Sequence, residues 1–378
     1  MSLLLASLLL GAMARAQHPG PPPSPPATRE AVQAAIARGL DFLLGAQEAS
    51  GCFGVPRSVM NFETFATIGT YESWTVATTG LVCMTLMEAG TSPAATAALD
   101  LGIDFLLANA FVKRVSDWDT DNTWGWIYGL HCLARALEHP HFEHDLRRAR
   151  MREVGDGLLQ RLARWQTPCG GWGYYDTEVG AIPPIWATSF MTAAAVVAMQ
   201  DAKQAGFAVN ATVLDKAVRA IEHARLKNGA FAYSIDAIPD PSGLEFINQV
   251  KGSLGRIQVC QLALYRAGRA SQAELEIGID RFFSEHRFLD VARKKPIPHE
   301  AYYANAAYFY LFGHFYAAQV IECLPQAARA ELFAKLQREL LKTQEDDGAM
   351  WDFYISGYTR PYGTAFAVMA LQRSLRVD

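Results

Sequence analysis

The chain has no C-x-x-C pair. Its six cysteines, Cys52, Cys83, Cys132, Cys169, Cys260 and Cys323, are scattered. That removes the usual cysteine signatures of a zinc or thiol-redox site. Cys83, Cys132, Cys260 and Cys323 fall inside apolar helical patterns and read as small buried hydrophobes. Cys52 and Cys169 fall in loops, where a disulfide is allowed but not demanded. No stretch beyond residue 16 is apolar enough to span a membrane, so no transmembrane segment is expected. No basic stripe stands out among 34 Lys+Arg and 38 Asp+Glu, which makes nucleic acid a poor partner. What remains is an ordinary globular composition, 51% hydrophobic and 19% charged, in 378 residues.

Residues 1–16 read as a secretory signal peptide. Leu3 to Leu10 is an apolar run too short to cross a bilayer, and Ala14-Arg15-Ala16 offers a small-x-small cleavage site before Gln17. Residues 17–27 form a Pro-rich linker that cannot continue a helix. Residues 28–378 then read as a single repeat domain. This places the mature protein outside the cytosol, secreted or periplasmic.

A short pattern recurs along that domain. Gln166, Gly170 and Trp172 spell Q-x-x-x-G-x-W. Gln47, Gly51 and Phe53 repeat it, as do Arg225, Gly229 and Phe231 with Arg for Gln. Gln344 and Gly348 repeat its first half, with Trp351 one residue late. The starts lie 119, 59 and 119 residues apart, a unit of about 60 with degenerate copies near residues 106 and 285. The expected role is mechanical. The Gln amide bonds orphan carbonyls at the helix end or the next hairpin, the Gly permits the turn, and the aromatic packs under the following helix.

Between the copies, two kinds of helix alternate. Amphipathic segments are predicted over 29–47, 94–109, 144–166, 212–227, 272–285 and 326–344. Segments apolar on nearly every side are predicted over 74–89, 123–138, 185–205, 254–267, 302–323 and 362–375, and such helices are buried. Six outer and six inner helices make an all-α fold, a closed α/α toroid of six hairpins. The inner helices run parallel, so their N-termini share one mouth.

Q-x-x-x-G-x-W at this spacing resembles the repeats of squalene and oxidosqualene cyclases, class II terpene cyclases and protein prenyltransferase β subunits, over roughly residues 28–376. The resemblance implies the toroid. Those cyclases carry a D-x-D-D-T acid motif, and Asp119-Thr120-Asp121-Asn122-Thr123 is similar, with Asn for the last Asp. It implies Asp121 as general acid, tuned by Asp119 and Asn122. Trp124, Trp126, Tyr128, Trp186, Phe190, Tyr308 and Phe312 would then hold a carbocation by their faces. Two features depart from the pattern: the cyclase cavity lies between two helical domains, and this chain has one. The prenyltransferase zinc site needs an Asp-x-Cys, and none occurs. Cys169-Gly170-Gly171-Trp172 lacks the Cys-Gly-Glu-Gln of the thioester proteins that share the fold.

The same residues have plainer readings. Asp119, Asp121 and Asn122 are ordinary helix N-cap residues. Asp117, Asp119 and Asp121 suggest a calcium loop, but Asn122 stands where Gly is needed. His131 and His314 could meet across the barrel as metal ligands, though no metal and no cofactor is called for. Lys251, Arg256, Arg293, Lys294 and Lys295 read as solvated surface, and Asn210-Ala-Thr212 matches a glycosylation sequon. Loop acids such as Glu72, Asp176, Glu178, Asp236, Asp346, Asp347 and Asp352 could supply a glycosidase pair.

The mouth is expected to collect Glu72, Asp119, Asp121, Tyr175, Asp176, Asp236, Tyr303, Arg360 and Tyr362, with Trp124, Trp126 and Trp186 just inside. Three functions fit: a non-catalytic toroid binding a protein, lipid or glycan partner at that mouth, a cyclase-like enzyme on an apolar, neutral isoprenoid small molecule, or a carbohydrate-active α/α-barrel enzyme. The first expects a side-chain-filled barrel and Asp121 as a plain cap. The second expects a deep apolar cavity with Asp121 at its wall, and the third two carboxylates facing a groove about 5–10 Å apart.

Overall fold

The computed structural model describes residues 26–55, 67–90, 92–113, 119, 121–174, 187–236, 246–353 and 357–376. In chain order its helices are α1 (Arg29–Gly45), α2 (Ile68–Glu88), α3 (Pro93–Asn109), α4 (Asn122–Glu138), α5 (Arg148–Arg164), α6 (Ser189–Gln204) and α7 (Ala211–Ala224). They continue as α8 (Val250–Arg266), α9 (Gln272–Ser284), α10 (Arg287–Asp290), α11 (Phe309–Glu322), α12 (Gln326–Leu341) and α13 (Thr359–Ser374). Two short strands, β1 (Ala187–Thr188) and β2 (Ser234–Ile235), pair antiparallel ahead of α6 and α8.

The fold is an α/α toroid. The apolar helices α2, α4, α6, α8, α11 and α13 each pack on the next, and α13 packs on α2 to close the ring. The amphipathic helices α1, α3, α5, α7, α9 and α12 form the outer ring. Each of α3, α5, α7, α9 and α12 packs mainly on the inner helix before it in sequence, and α1 packs on α13. The first helix therefore completes the last hairpin. No described helix is long and apolar enough to cross a membrane.

The sequence repeat joins the rings. Gln47, Gln166 and Gln344 each donate Nε2 to the carbonyl of their own Gly, at 3.0, 2.7 and 3.1 Å. Each also reaches the next outer helix: Ala98 on α3, Val213 on α7 and Ala35 on α1, all at 2.8 Å. Gly51, Gly170 and Gly348 have φ of 86°, 96° and 90°, and a Cβ there would strike a carbonyl of that same neighbouring helix. The backbone N–H of Phe53, Trp172, Phe231 and Met350 donates to Thr79, Thr192, Ser253 and Thr364 on the following inner helix. Met350, fully buried, thus fills the aromatic position in the last copy, where the sequence suggested Trp351. Trp351 lies under the Lys294 ammonium, 4.5 Å from the ring centre.

Helix α2 begins six residues before the expected start, and α11 seven residues after it. Ahead of α11 the chain runs through a loop in which Lys294, His299, Tyr303 and Ala304 all have positive φ. Helix α10, in the degenerate copy near 285, was not expected. All six cysteines are free, so Cys52 and Cys169 are not bonded to each other.

At the C-terminal ends of the inner helices, polar pairs run round the whole ring. Glu88 meets Arg135 at 2.6 Å, His131 meets Asp201 at 2.7 Å, and Asp201 meets Arg266 at 2.9 Å. Arg266 donates to Gln319 at 3.2 Å, Glu322 meets Arg373 at 2.6 Å, and Arg373 returns to Glu88 at 3.1 Å. Each inner helix is therefore tied to both neighbours at this end. Burial raises the Glu88 carboxyl, but Arg373, Arg135 and Arg376 outweigh it and hold it below the usual range. Because His131 is committed to Asp201, it does not meet His314 across the barrel.

Candidate active site at the inner-helix mouth

The centre of the ring is closed by aromatic side chains. Helices α4 and α11 stand opposite each other, yet the Trp124 and Phe312 ring centres are 6.2 Å apart and the Tyr128 and Tyr316 hydroxyls 3.5 Å. Phe190 and Phe366 complete the plug, 6.2 and 6.1 Å from Phe312. On the N-terminal side of this floor lie side chains that retain partial exposure: Trp74, Asp121, Trp124, Tyr174, Tyr233, His299, Tyr308 and Tyr362. They come from every part of the ring, so the shared mouth expected from parallel inner helices exists.

Asp121 occupies the N-cap position of α4, but its side chain makes no cap hydrogen bond. The cap reading therefore does not hold for it. Its backbone carbonyl accepts from Ser73 at 2.7 Å, and the same hydroxyl accepts from the Gly125 N–H at 3.0 Å, which locks the start of α4 to α2. Its carboxyl Oδ2 accepts from the Trp74 indole at 3.0 Å. Burial pushes this carboxyl up to about 7, against the opposing pull of that one donor. It is thus a carboxylic acid that retains its proton well above the usual carboxylate range and is about half protonated at neutral pH.

Asp119, almost fully buried, points elsewhere. It accepts from the Thr70 N–H at 2.9 Å and from the Thr67 hydroxyl, capping α2 rather than its own helix. Asn122 is buried, and its Oδ1 has no hydrogen-bond donor among the described residues.

The aromatic neighbours of Asp121 form two walls. Trp74 stacks on Tyr358 at 4.6 Å, and Tyr358 meets Tyr362 at 5.7 Å. Tyr362 donates to Asp352 at 3.0 Å, while Asp352 caps α11 through the Leu311 N–H at 2.8 Å. Burial pushes Asp352 up to about 7 as well. On the other side, Tyr233 donates to Tyr174 at 3.4 Å, and Tyr308 faces Nε2 of His299 at 3.1 Å. Burial holds the Tyr174 and Tyr308 phenols well above their usual range, and the nearby Asp121 charge adds to this.

Among the residues singled out from sequence, Asp121, Trp124, Tyr308 and Tyr362 meet at this mouth. Trp126 turns toward the outer ring, with the Arg161 guanidinium 5.8 Å from its ring centre. Tyr303 groups with Phe246, Phe288 and Lys251. Arg360 pairs with Asp347 at 2.6 Å and lies over Phe42 of α1. Glu72 is exposed. Arg256 is not surface but fully buried, donating to the Gly252, Phe231 and Ile247 carbonyls. Tyr175, Asp176, Trp186, Asp117 and Glu178 lie outside the described residues. Trp74, Tyr233, His299 and Tyr358 were not anticipated as site residues. The available signal was position: Tyr71 and Trp74, like Tyr358 and Tyr362, are aromatics one turn apart near an inner-helix start.

No family model matches the sequence, and no curated protein matches it. Solved structures do. A D-mannose isomerase is similar at a TM-score of 0.60 and 12% identity, over 93% of this chain and 100% of that one. The GH76A α-1,6-mannanase from Salegentibacter sp. is similar at 0.57 and 12%, over 92% and 100%. A type II terpene cyclase from Scytonema in complex with geranylgeranyl dihydroxybenzoate is similar at 0.53 and 14%, over 92% and 98%. These likenesses carry the fold alone.

Proposed function

We propose that this protein is a cyclase-like acid catalyst for a neutral, isoprenoid-type substrate, with Asp121 as the general acid. The supporting observation is the setting of Asp121: its Oδ2 accepts from the Trp74 indole, and burial at an aromatic-lined mouth raises its carboxyl to about 7. Its proton would pass to an alkene or epoxide of the bound chain. The resulting carbocation would be held by the faces of Trp74, Trp124 and Phe312 while ring bonds form. Loss of a proton from carbon closes the sequence, and a proton from solvent restores Asp121. A substrate of the prenylated-phenol or hydrocarbon class suits an apolar, aromatic floor better than a diphosphate does. It also suits a secreted or periplasmic setting, which we infer from the leader at residues 1–16.

The competing readings have less support. A non-catalytic toroid accords with the aromatic side chains that close the ring centre, but not with Asp121, whose side chain makes no cap hydrogen bond. A glycosidase calls for two carboxylates free to face a sugar; of the loop acids that could form such a pair, Asp352 is bonded to Leu311 and Tyr362, Asp347 to Arg360, and Asp176 and Glu178 lie outside the described residues.

The test is turnover. The purified chain is incubated with neutral isoprenoids (linear triterpenes and prenylated phenols), and products are separated by mass. Cyclised products from the wild type, absent with Asp121→Asn, are the expected result. Equal turnover by the variant removes Asp121 from its role.

A further inference from the structure

His286 and Asp290, at the start and end of the short helix α10, come together with Glu339 of helix α12. Nδ1 of His286 lies 3.2 Å from Asp290 Oδ2 and 3.1 Å from Glu339 Oε2. All three ligand atoms lie within 4.8 Å of one another. The His286 side chain is 6% exposed.

The protons decide what this cluster is. Nδ1 of His314 faces the Tyr310 carbonyl at 2.7 Å, and a carbonyl only accepts, so that nitrogen carries hydrogen. In neutral His314 the other nitrogen, Nε2, is then an acceptor. It faces Nε2 of His286 at 3.0 Å, so His286 donates there. Nδ1 of His286 faces the two carboxylate oxygens at 3.1–3.2 Å, and the Lys342 ammonium bridges the same two carboxylates, so this point already draws a cation. Metal bonds of about 2.0–2.2 Å put neighbouring ligand atoms about 3.0–3.4 Å apart, which matches both separations. One imidazole and two carboxylates suit a first-row divalent ion. His314 then plays the orienting part that a histidine's outer partner plays at such sites.

The place in the repeat agrees. In the intact copies a Gln ties the repeat loop to the next outer helix. The copy near residue 285 has no such Gln, and there His286 faces Glu339 on the next outer helix, α12.

We propose that His286 Nδ1, Asp290 and Glu339 bind one divalent first-row transition ion, which replaces the missing Gln link and clips α12 to the α9–α10 corner. Lys342 now pairs with both carboxylates, at 2.7 Å to Asp290 and closely to Glu339. Its side chain is 41% exposed and free to swing out as the metal enters. The inference stands apart from the acid chemistry at the mouth.

The test is calorimetric titration of chelator-treated, full-length protein with Zn²⁺, alongside thermal melts. The expected result is one ion per chain with a Kd below about 10 μM, and a melting temperature that rises with ion concentration. Glu339→Gln and Asp290→Asn, checked for native helix content by circular dichroism, should each weaken binding at least tenfold. His314→Gln should weaken it about 10–100-fold through the lost orientation. The absence of saturable binding below about 1 mM overturns the proposal. So does binding that Glu339→Gln and Asp290→Asn leave unchanged, since a protonated His286 paired with both acids would then account for the geometry.

Discussion

Asp119 and Asp121 stand two residues apart, yet their carboxyls serve different ends. Asp119 is spent on the first turn of α2, through the Thr70 N–H at 2.9 Å. Asp121 receives one donor among the described residues, the Trp74 indole at 3.0 Å, and its carboxyl is raised to about 7. One caps a helix, and the other is the acid of the proposed reaction.

Asp121→Asn should lower turnover by about 10²–10⁴-fold, the usual worth of a positioned proton donor. It should leave the helix content intact, because the side chain caps nothing. Product assays and circular dichroism on the same preparation check both halves.

Turnover should be flat on the acid side and fall about tenfold per pH unit above about 7, because the protonated form is the active one. Stability carries the same sign. The folded-state value lies above the ordinary 3.8, so Asp121 contributes fully below about 4 and progressively less as the pH rises to about 7. Asp121→Asn should therefore gain stability relative to wild type at pH 8 and not at pH 4. Thermal melts at the two pH values measure this.

Trp74→Phe removes an indole donor that favours the ionised carboxylate. The acid should become weaker still, and the descending limb of the pH–rate profile should move up by about one unit, in line with about 1.5–3 kcal/mol for a hydrogen bond to a charged group. A limb that moves down, or stays put, contradicts the assignment of that bond.

At the opposite end of the ring, Glu88→Gln should cost about 3 kcal/mol, because it leaves Arg373 and Arg135 facing an uncharged, buried neighbour. Since Glu88 is held below its ordinary 4.5, its contribution is present above that pH and is lost as the pH falls through the lowered value. Urea unfolding at neutral and acid pH checks both the size and the sign.

Gly348→Ala should destabilise more than Gln344→Ala. The alanine would have to hold φ near 90° and push its Cβ into the Arg38 carbonyl on α1. The Gln change loses three hydrogen bonds, to Ala35 and Gly348 and from Arg38, about 2–3 kcal/mol together. Chemical unfolding of the pair ranks them.

The architecture was legible because it rests on local rules. A Gln, a Gly with positive φ and an aromatic recur at one interval, and apolar helices alternate with amphipathic ones. The outcome at Trp351 marks the limit. The motif allowed a one-residue slip, whereas the Thr364 hydroxyl selects Met350 by its backbone N–H, which no side-chain pattern reports. The site was legible only in part. Asp121 could be named, but an Asp before a helix looks like a cap in any sequence. What distinguishes it is Trp74, 47 residues away. The ring of ion pairs, the buried setting of Arg256 and the meeting of His286 with Glu339 depend on helices far apart in the chain. His131 and His314 illustrate the converse: each looked available as a ligand, and each is committed to a neighbour that sequence spacing does not point to.

The most direct test of the acid assignment is the ionisation of Asp121 itself, followed by ¹³C carboxyl NMR as the difference between wild type and Asp121→Asn across a pH titration. The expected midpoint is about 7. A midpoint near 4 would mean an ordinary, ionised carboxylate at the mouth, and with it the case for protonation of an apolar substrate by this residue would be gone.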